Sequence, residues 1–535
     1  MIVLSKFKLS RARRAGATCL ALACALVASL DAPPAHAGLE TDVQQILTGA
    51  SLGKTRSSVL LVDLRTGQTL IDLDADVPLV PASNMKLITT AAALTRLGPD
   101  FKFSTKLALL PAPAPGSNSG NPNSVSEGSS QPTNPRSVPG SIPGALPSLL
   151  IRGEGDPAFG DPVLLAQAGF EVDDLVDLWV QAVIDTGHTR FDQLLLDDLI
   201  FDAVRVHPDW PVDQLHRYYC AQVGAINFHE NLLAVLPVPS ETLGQAPIVQ
   251  LFPYYPSLRT QNRATTGNVD DFRIQRAPDS NRFVFLGSVR NRRTSPYRVT
   301  VDDPAMFLGQ FLQHKLKQAG VRVNRVVRLK PNDRAADQPT EILHQLNTTL
   351  AGVIDRTNQD SQNMFAEALL KRMGHELTGE PGSFRNGASA VRLYMRDRLS
   401  SRVGLTAVRV ADGSGLSSNN RATARVLVEV LRSMREDSTL GPIYAASLSH
   451  AGHTGTLRQR LRDLRSDVYG KSGYLGASAN YASTLSGYIV RPDGRTYAFA
   501  MLFNGFQPPL TSTRIKQVQD QILTKIDESI NQVRN

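Results

Sequence analysis

Ser83-Asn84-Met85-Lys86 follows Pro78 and Pro81 and opens a stretch, Ser83 to Leu97, that reads as a helix stopped by Gly98-Pro99. A hydroxyl and an amine three residues apart on a helix share one face, so Ser83 and Lys86 can reach each other. Upstream, Leu39, Val43, Ile46 and Leu47 mark a short amphipathic helix, and Ser57 to Asp63 and Gln68 to Leu73 read as a hairpin around Arg65-Thr66-Gly67. At the far end, Ser483 to Val490 and Thr496 to Asn504 read as a second hairpin across Pro492-Asp493-Gly494. A closing helix follows, with Ile515, Val518, Ile522, Ile526 and Ile530 at helical spacing as its core side. Two terminal hairpins and a closing helix fit one antiparallel sheet built from both chain ends and flanked by helices, an α+β fold.

Between these ends lies room for an insertion, because 275 residues separate Lys86 from Ser361. Pro111 to Pro147 is rich in Pro, Ser, Gly and Asn, a composition that cannot offset the entropy of ordering, so a disordered loop is expected over 111–147. Its flanks, Lys102 to Leu110 and Ser148 to Arg152, are strand-like, which makes the loop an overgrown hairpin turn. Asp174 to Ile184 reads as a helix, and Gln193 to Ile200, Leu232 to Val238, Ile248 to Phe252 and Arg282 to Ser288 as strands. Asp303-Pro304 opens a helix to about Gln318, and Asp360 to Arg372 forms another, with Ser361 and Asn363 at its start.

Composition narrows the compartment and the partners. In residues 1–37, Lys6, Lys8, Arg11, Arg13 and Arg14 precede an apolar run from Ala15 to Leu30, and Pro34-Ala35-His36-Ala37 offers small residues for cleavage. This is a secretory signal peptide, and the run is too short for a spanning helix. Removing it turns the formal charge of +8 into +4, with no clustered Lys/Arg footprint for nucleic acid. Two of the three cysteines leave with the leader, so Cys220 has no partner for an internal disulfide. A secreted, periplasmic protein is expected, with membrane association at most peripheral. The histidines show no ligand spacing, and neither metal nor cofactor is implied.

Three motifs carry chemistry: Ser83 to Lys86, Ser361-Gln362-Asn363, and Lys471-Ser472-Gly473. Together they supply a nucleophile, its base, a proton relay and an oxyanion clamp, which is the set for acyl transfer through a serine ester. Lys86 must be neutral near pH 7 to act as base, which requires burial and a second cation, and Lys471 is the candidate. Ser361 is expected to bridge the two lysines and Asn363 to bind a substrate amide. Lys471 with Ser472 would hold a terminal carboxylate, and the amides of Ser83 and Tyr474, beside Gly473, would form the oxyanion hole. Single motifs of this length are cheap, since Ser5 to Lys8, Ser119 to Asn121 and Ser478 to Asn480 also match, and context discriminates. Gly49-Ala50-Ser51-Leu52-Gly53 lies after a helix and before a strand, the reverse of a nucleophile elbow. His453-Thr454-Gly455 is the rival third motif, and Lys471 is preferred because a hairpin follows it.

The trio, with Gly155-Asp156-Pro157, Asp412-Gly413-Ser414-Gly415-Leu416-Ser417 and Gly455-Thr456-Leu457-Arg458, closely resembles the low-molecular-mass class C penicillin-binding proteins, D-alanyl-D-alanine carboxypeptidase/endopeptidases. The resemblance implies a β-lactamase/transpeptidase-like domain of residues 38–103 and 302–535, interrupted by a large, mostly β insertion of two nested domains at 104–301. It also implies action on peptidoglycan stem peptides, with β-lactam antibiotics as covalent inhibitors. Serine at 472 replaces the commoner threonine, Tyr474 stands where a small residue is usual, and Gly476 to Tyr481 is long for the family. Two alternatives are a β-lactamase or esterase on the same scaffold and a catalytically idle peptidoglycan-binding scaffold. No E-x-x-L-N segment like that of penicillinases is present, so slow hydrolysis of a penicilloyl ester is expected.

Overall fold

A computed structural model describes residues 37–112, 145–331, 333, 340–476 and 481–532. The expected leader (apart from residue 37), the interior of the 111–147 loop and most of the Gly476 to Tyr481 loop lie outside the described residues.

Both chain ends contribute to one six-stranded antiparallel sheet in the order Ser449–His450, Asp467–Leu475, Tyr481–Val490, Thr496–Phe506, Arg56–Asp63, Thr69–Leu73. Its central strands Tyr481–Val490 and Thr496–Phe506 are buried at nearly every position because both faces are covered. Val59, Leu61, Phe499, Met501 and Phe503 pack with Ile515, Val518 and Ile522 of the closing helix Ser512–Gln532 and with Leu39 and Val43 of the helix Ala37–Gly49. The alternate residues Leu60, Val62, Ala498, Ala500 and Leu502 face Leu87, Ile88, Val426 and Leu427 of the helices Met85–Leu97 and Ala424–Glu436. The helix carrying Lys86 is thus clamped against the sheet that carries Lys471.

The insertion is larger than the 104–301 expected. Lys102–Leu110 and Ser148–Gly153 form the antiparallel hairpin read from the sequence, but their sheet also takes in Arg190–Asp197, Arg322–Arg328 and Glu341–Thr349. Glu341–Thr349 pairs antiparallel with Lys102–Leu110, so the inserted body runs from Lys102 to Thr349 and the expected boundary at 302 falls inside it. The helix Pro304–Gln318 packs in the same body, through Phe307, Leu308 and Phe311. Nested within are a three-stranded sheet of Leu232–Val238, Ile248–Phe252 and Tyr297–Thr300, and another of Arg259–Asn262, Arg273–Arg276 and Arg282–Leu286. The latter continues into the parallel pair Thr265–Thr266 and Ser288–Val289. Trp179, Phe228, Phe283, Phe285 and Phe307 belong to a single buried cluster that joins these parts.

The helix expected over Asp360 to Arg372 starts later, at Asn363, and a separate helix precedes it. Leu350–Gln359 ends, the chain turns through Asp360-Ser361-Gln362 with Ser361 at φ 58°, and Asn363–Thr378 begins. Ser361 therefore sits on a left-handed bend between helices, a conformation that costs on the order of 1 kcal/mol and that its surroundings must hold.

Candidate active site

Ser83 occupies a 3₁₀ turn, Ala82–Asn84, that runs into the helix Met85–Leu97. Ala82 before it has φ 46°, and Gly415 packs so closely on the Ala82 carbonyl that a Cβ there would overlap it. Asn84 ties the turn to the third motif: its Nδ2 donates to the Lys471 carbonyl at 2.6 Å, and its Oδ1 accepts from Ser486 at 2.8 Å. Thr484 donates to the Pro81 carbonyl at 2.9 Å from the same strand.

Lys86 is fully buried, with its Nζ 3.0 Å from Ser83 Oγ, 2.7 Å from Asn363 Oδ1 and 2.8 Å from the Ser414 carbonyl. Burial pulls its pKa down to about 7, against the opposing charges of Glu367 and Asp412. A neutral amine has two N–H donors and one lone pair. Asn363 Oδ1 and the Ser414 carbonyl are pure acceptors that take the donors, which leaves the lone pair for the Ser83 hydroxyl. This is the geometry a general base needs.

Lys471, also fully buried, donates to Ser361 Oγ at 2.9 Å and to the Ser472 carbonyl at 2.8 Å. Burial first and the charge of Lys86 second hold its pKa well below the usual lysine value. Ser472 Oγ donates to Thr456 Oγ1 at 2.7 Å. Gly473 is needed where it stands, because a Cβ would come within 2.9 Å of the Ser83 amide nitrogen. Tyr474 is half-exposed at the rim. Ser83, Ser361, Asn363, Ser472, Gly473 and Tyr474 line one cleft of about 820 Å³, which the insertion completes with Asp209, Tyr218, Tyr219 and Arg298.

Three expectations change. Burial lowers the Lys86 pKa as expected, but the charge of Lys471 is not among the causes; the charge of Lys86 instead lowers the Lys471 pKa. Ser361 is hydrogen-bonded to Lys471, whereas Lys86 bonds Ser83, Asn363 and Ser414, so Ser361 does not bridge the two amines in this state. Asn363 was expected to face substrate, but its Oδ1 holds Lys86 and its Nδ2 donates to the Tyr219 carbonyl at 2.8 Å, leaving one N–H for a ligand.

The rival motifs lie elsewhere. Ser51 is an exposed residue in the turn after the first helix, and exposed His453 stacks on His450 with ring centroids 4.3 Å apart; neither lines the cleft. Asp156 is buried and accepts from Thr348 Oγ1 at 2.7 Å, away from the cleft lining. Asp412 has a structural role beside the cleft: it accepts from the amides of Gly415 and Ser417 and from Asn420 and Trp210, closing the turn whose Leu416 lines the wall.

Sequence reading missed Glu367 and Glu230. Glu367 accepts from the amides of Gly413 and Ser414 at 2.9 and 2.8 Å, fixing the carbonyl that holds Lys86, and burial with the Asp412 charge pushes its pKa up to about 8. Its signal was available: a carboxyl four residues after Asn363 lies on the same helix face, amid the apolar Phe365, Leu369 and Leu370. Glu230 accepts from Arg356 at 2.8 Å, from Arg298 at 2.7 Å and from Gln362, the middle residue of the second motif. It sits in a run of left-handed residues, His229, Glu230 and Asn231, that no local pattern announces.

A hydroxyl facing a buried, neutralised amine, with a second buried amine and serine across the same cleft, defines a serine acyl-transfer site in a β-lactamase-like sheet. The family described as D-Ala-D-Ala carboxypeptidase 3 (S13) matches residues 39–135 and 143–526, and the chain belongs to that family. It is 29% identical over 510 residues to the D-alanyl-D-alanine carboxypeptidase of Actinomadura sp. (strain R39), covering 92% of this chain and 84% of that protein. It is 21% identical over 476 residues to the D-alanyl-D-alanine carboxypeptidase DacB of Haemophilus influenzae, covering 86% and 87%. Among solved structures, penicillin binding protein 4 (dacB) from Haemophilus influenzae superposes with a TM-score of 0.69 at 18% identity, over 91% of this chain and 99% of that one. The family is the one the motifs indicated, and the fold class is α+β and transpeptidase-like with an insertion.

Proposed function

We propose that this chain is an exported serine D-Ala-D-Ala carboxypeptidase/endopeptidase of peptidoglycan stem peptides, working through an acyl-enzyme on Ser83. The observation that carries the reading is the 3.0 Å approach of Lys86 Nζ to Ser83 Oγ in a setting that lowers the amine's pKa to about 7. Family membership supports the reaction, and the leader over 1–37 supports export.

Ser83 Oγ attacks the carbonyl between the two D-alanines as its proton passes to Lys86. The oxyanion is held by the amides of Ser83 and Tyr474, each such donor contributing about 3 kcal/mol to barrier reduction. The proton taken up by Lys86 passes through the hydroxyl of Ser361, which Lys471 holds, to the leaving amine; the C–N bond breaks to give the Ser83 ester and free D-alanine, and Lys86 is neutral again. The terminal carboxylate lies against Lys471, Ser472 and Thr456. Asn363 positions Lys86 and offers its remaining N–H to the substrate. Water, deprotonated by Lys86, then cleaves the ester. A β-lactam enters by the same attack, but its ring-opened acyl group stays attached, so it leaves a long-lived ester.

Fluorescent penicillin tests the assignment: the wild type is labelled and Ser83→Ala is not. Labelling that survives the substitution refutes it, and mass spectrometry of digested muropeptides reports whether terminal D-alanine or a D-Ala cross-link is cut.

A further inference from the structure

The nested part of the insertion, residues 241–298, holds nine arginines against four carboxylates and no lysine. That surplus of five exceeds the +4 left to the whole chain once the leader is removed, so the remainder is close to neutral. The arginines are gathered by sheet geometry. In the sheet of Arg259–Asn262, Arg273–Arg276 and Arg282–Leu286, Phe283 and Phe285 point into the core, so the alternate residues face out. Arg282 is paired in register with Arg259, Val284 with Gln261 and Gln275, and Leu286 with Arg273. Arg263, whose amide bonds the Phe285 carbonyl, extends the face. Arg290, Arg292 and Arg293 follow on the adjoining loop, which is held by Asp270 accepting from the amides of Arg290 and Asn291. Among the described residues, Arg259, Arg263, Arg282, Arg290 and Arg292 form no ion pair with a carboxylate, and Arg273 reaches Asp271 only at 3.8 Å.

Three aliphatic side chains project beside this face. Leu243, Ile248 and Val269 are 65%, 66% and 62% exposed. Backbone bonds between Gly244 and Thr266 and between Thr266 and Gln245, with the Asn262 side chain on the Pro247 carbonyl, lay the Leu243 and Ile248 segment along the edge of the arginine sheet. Val269 tops the neighbouring turn, two residues before Asp271, which accepts from Ser288.

We propose that this arginine face with its three aliphatic projections is a docking surface for an anionic lipid bilayer. Guanidinium groups match phosphate oxygens in a bidentate fork, and a charged bilayer attracts them over roughly a Debye length. A soluble phosphate polymer satisfies the arginines equally well but gives Leu243, Ile248 and Val269 nothing apolar to enter, whereas a headgroup layer does both.

The test is co-sedimentation of the chain from Gly38 onward with vesicles of phosphatidylcholine alone or with phosphatidylglycerol added. Binding to the anionic vesicles only, weakened by salt, is expected. The double charge reversal Arg259→Glu/Arg282→Glu should cut it roughly tenfold or more, and Leu243→Ser/Val269→Ser should cut it as well. Penicillin labelling of each variant should match the wild type, showing that it is folded. Pelleting with neither vesicle, equal pelleting with both, or arginine variants that bind like the wild type overturns the proposal. A charge-dependent interaction that Leu243→Ser/Val269→Ser leaves intact and that soluble polyphosphate fully displaces also overturns it, in favour of a soluble polyanion.

Discussion

Gly473→Ala tests whether the third motif works through its backbone. The new Cβ would sit 2.9 Å from the Ser83 amide nitrogen and 3.2 Å from Ala82 Cβ, and it would also collide with the Thr484 hydroxyl. The hydroxyl cannot simply swing away, because it donates to the Pro81 carbonyl at 2.9 Å and helps hold the Ser83 turn. The turn and the strand must therefore separate by about half an ångström, toward ordinary contact near 3.4–4 Å. That displacement misaligns the Ser83 amide with the oxyanion, and losing one such donor costs about 3 kcal/mol, or a rate factor of about 10² to 10³. The assay is the second-order rate of acylation by fluorescent penicillin, with thermal melting run on the same sample. Gly470→Ala serves as the control on the same strand, since its Cβ meets Leu457, Ser486 and Leu485 at 3.3–3.4 Å and nothing of Ser83. Acylation by a folded Gly473→Ala protein at the wild-type rate would refute the placement of the oxyanion hole.

Acylation should rise with pH and level off above about 7, because burial lowers the Lys86 pKa from 10.5 to about 7 and only the amine above that point accepts the Ser83 proton. A rate constant that is flat from acid to neutral pH would remove Lys86 as the base. Glu230→Ala removes one partner of the nearly inaccessible Arg356 guanidinium, which keeps Asp161 and Asp360, and a loss of about 1–3 kcal/mol by urea denaturation is expected; an unchanged midpoint would contradict it. Slower acylation should accompany that loss, since Gln362 of the second motif is released. Ser472→Thr keeps the hydroxyl that donates to Thr456, and carboxypeptidase rates should stay within about twofold of wild type; a larger fall would show that Ser472 is fitted to this chain's own cleft.

Local patterns carried a large part of the architecture. The terminal hairpins, the isoleucine stripe of the last helix and the hairpin strands Lys102–Leu110 and Ser148–Gly153 are readable because periodicity and turn residues act over a few residues. The insertion boundary was not readable, since Glu341–Thr349 is held by backbone pairing to a strand more than two hundred residues earlier, and hydrogen bonds of that kind leave no local trace. The same limit applies at the site. Ser83 and Lys86 are one helical turn apart, so their meeting follows from spacing alone, whereas the left-handed bend at Ser361 and the commitment of Asn363 to Lys86 and Tyr219 depend on contacts from distant segments. Burial and the charge of Lys471 were both expected to depress Lys86, and the fold assigns that task to burial.

Those distant segments make the insertion part of the catalytic apparatus. Two segments of the cleft wall are fastened to it by buried or half-buried hydrogen bonds: Asn363 to the Tyr219 carbonyl, Gln362 to Glu230, Asp412 to Trp210 and Ser417 to Asp209. Arg356, on the helix that leads into Ser361, reaches Asp161 and Glu230 on the insertion and Asp360 in the bend, so the left-handed bend is held by an ion-pair cluster with two of its carboxylates on the insertion. Unpaired charges at that depth are expensive, which means the cluster forms with the insertion folded against the peptidase sheet or not at all. Lys86 depends on this assembly indirectly, through Asn363, which is anchored to Tyr219, and through the turn of Ser414, whose Asp412 is anchored to Trp210. The amine can shed its proton near neutral pH because it is buried, and part of what keeps its surroundings in register is supplied by the insertion.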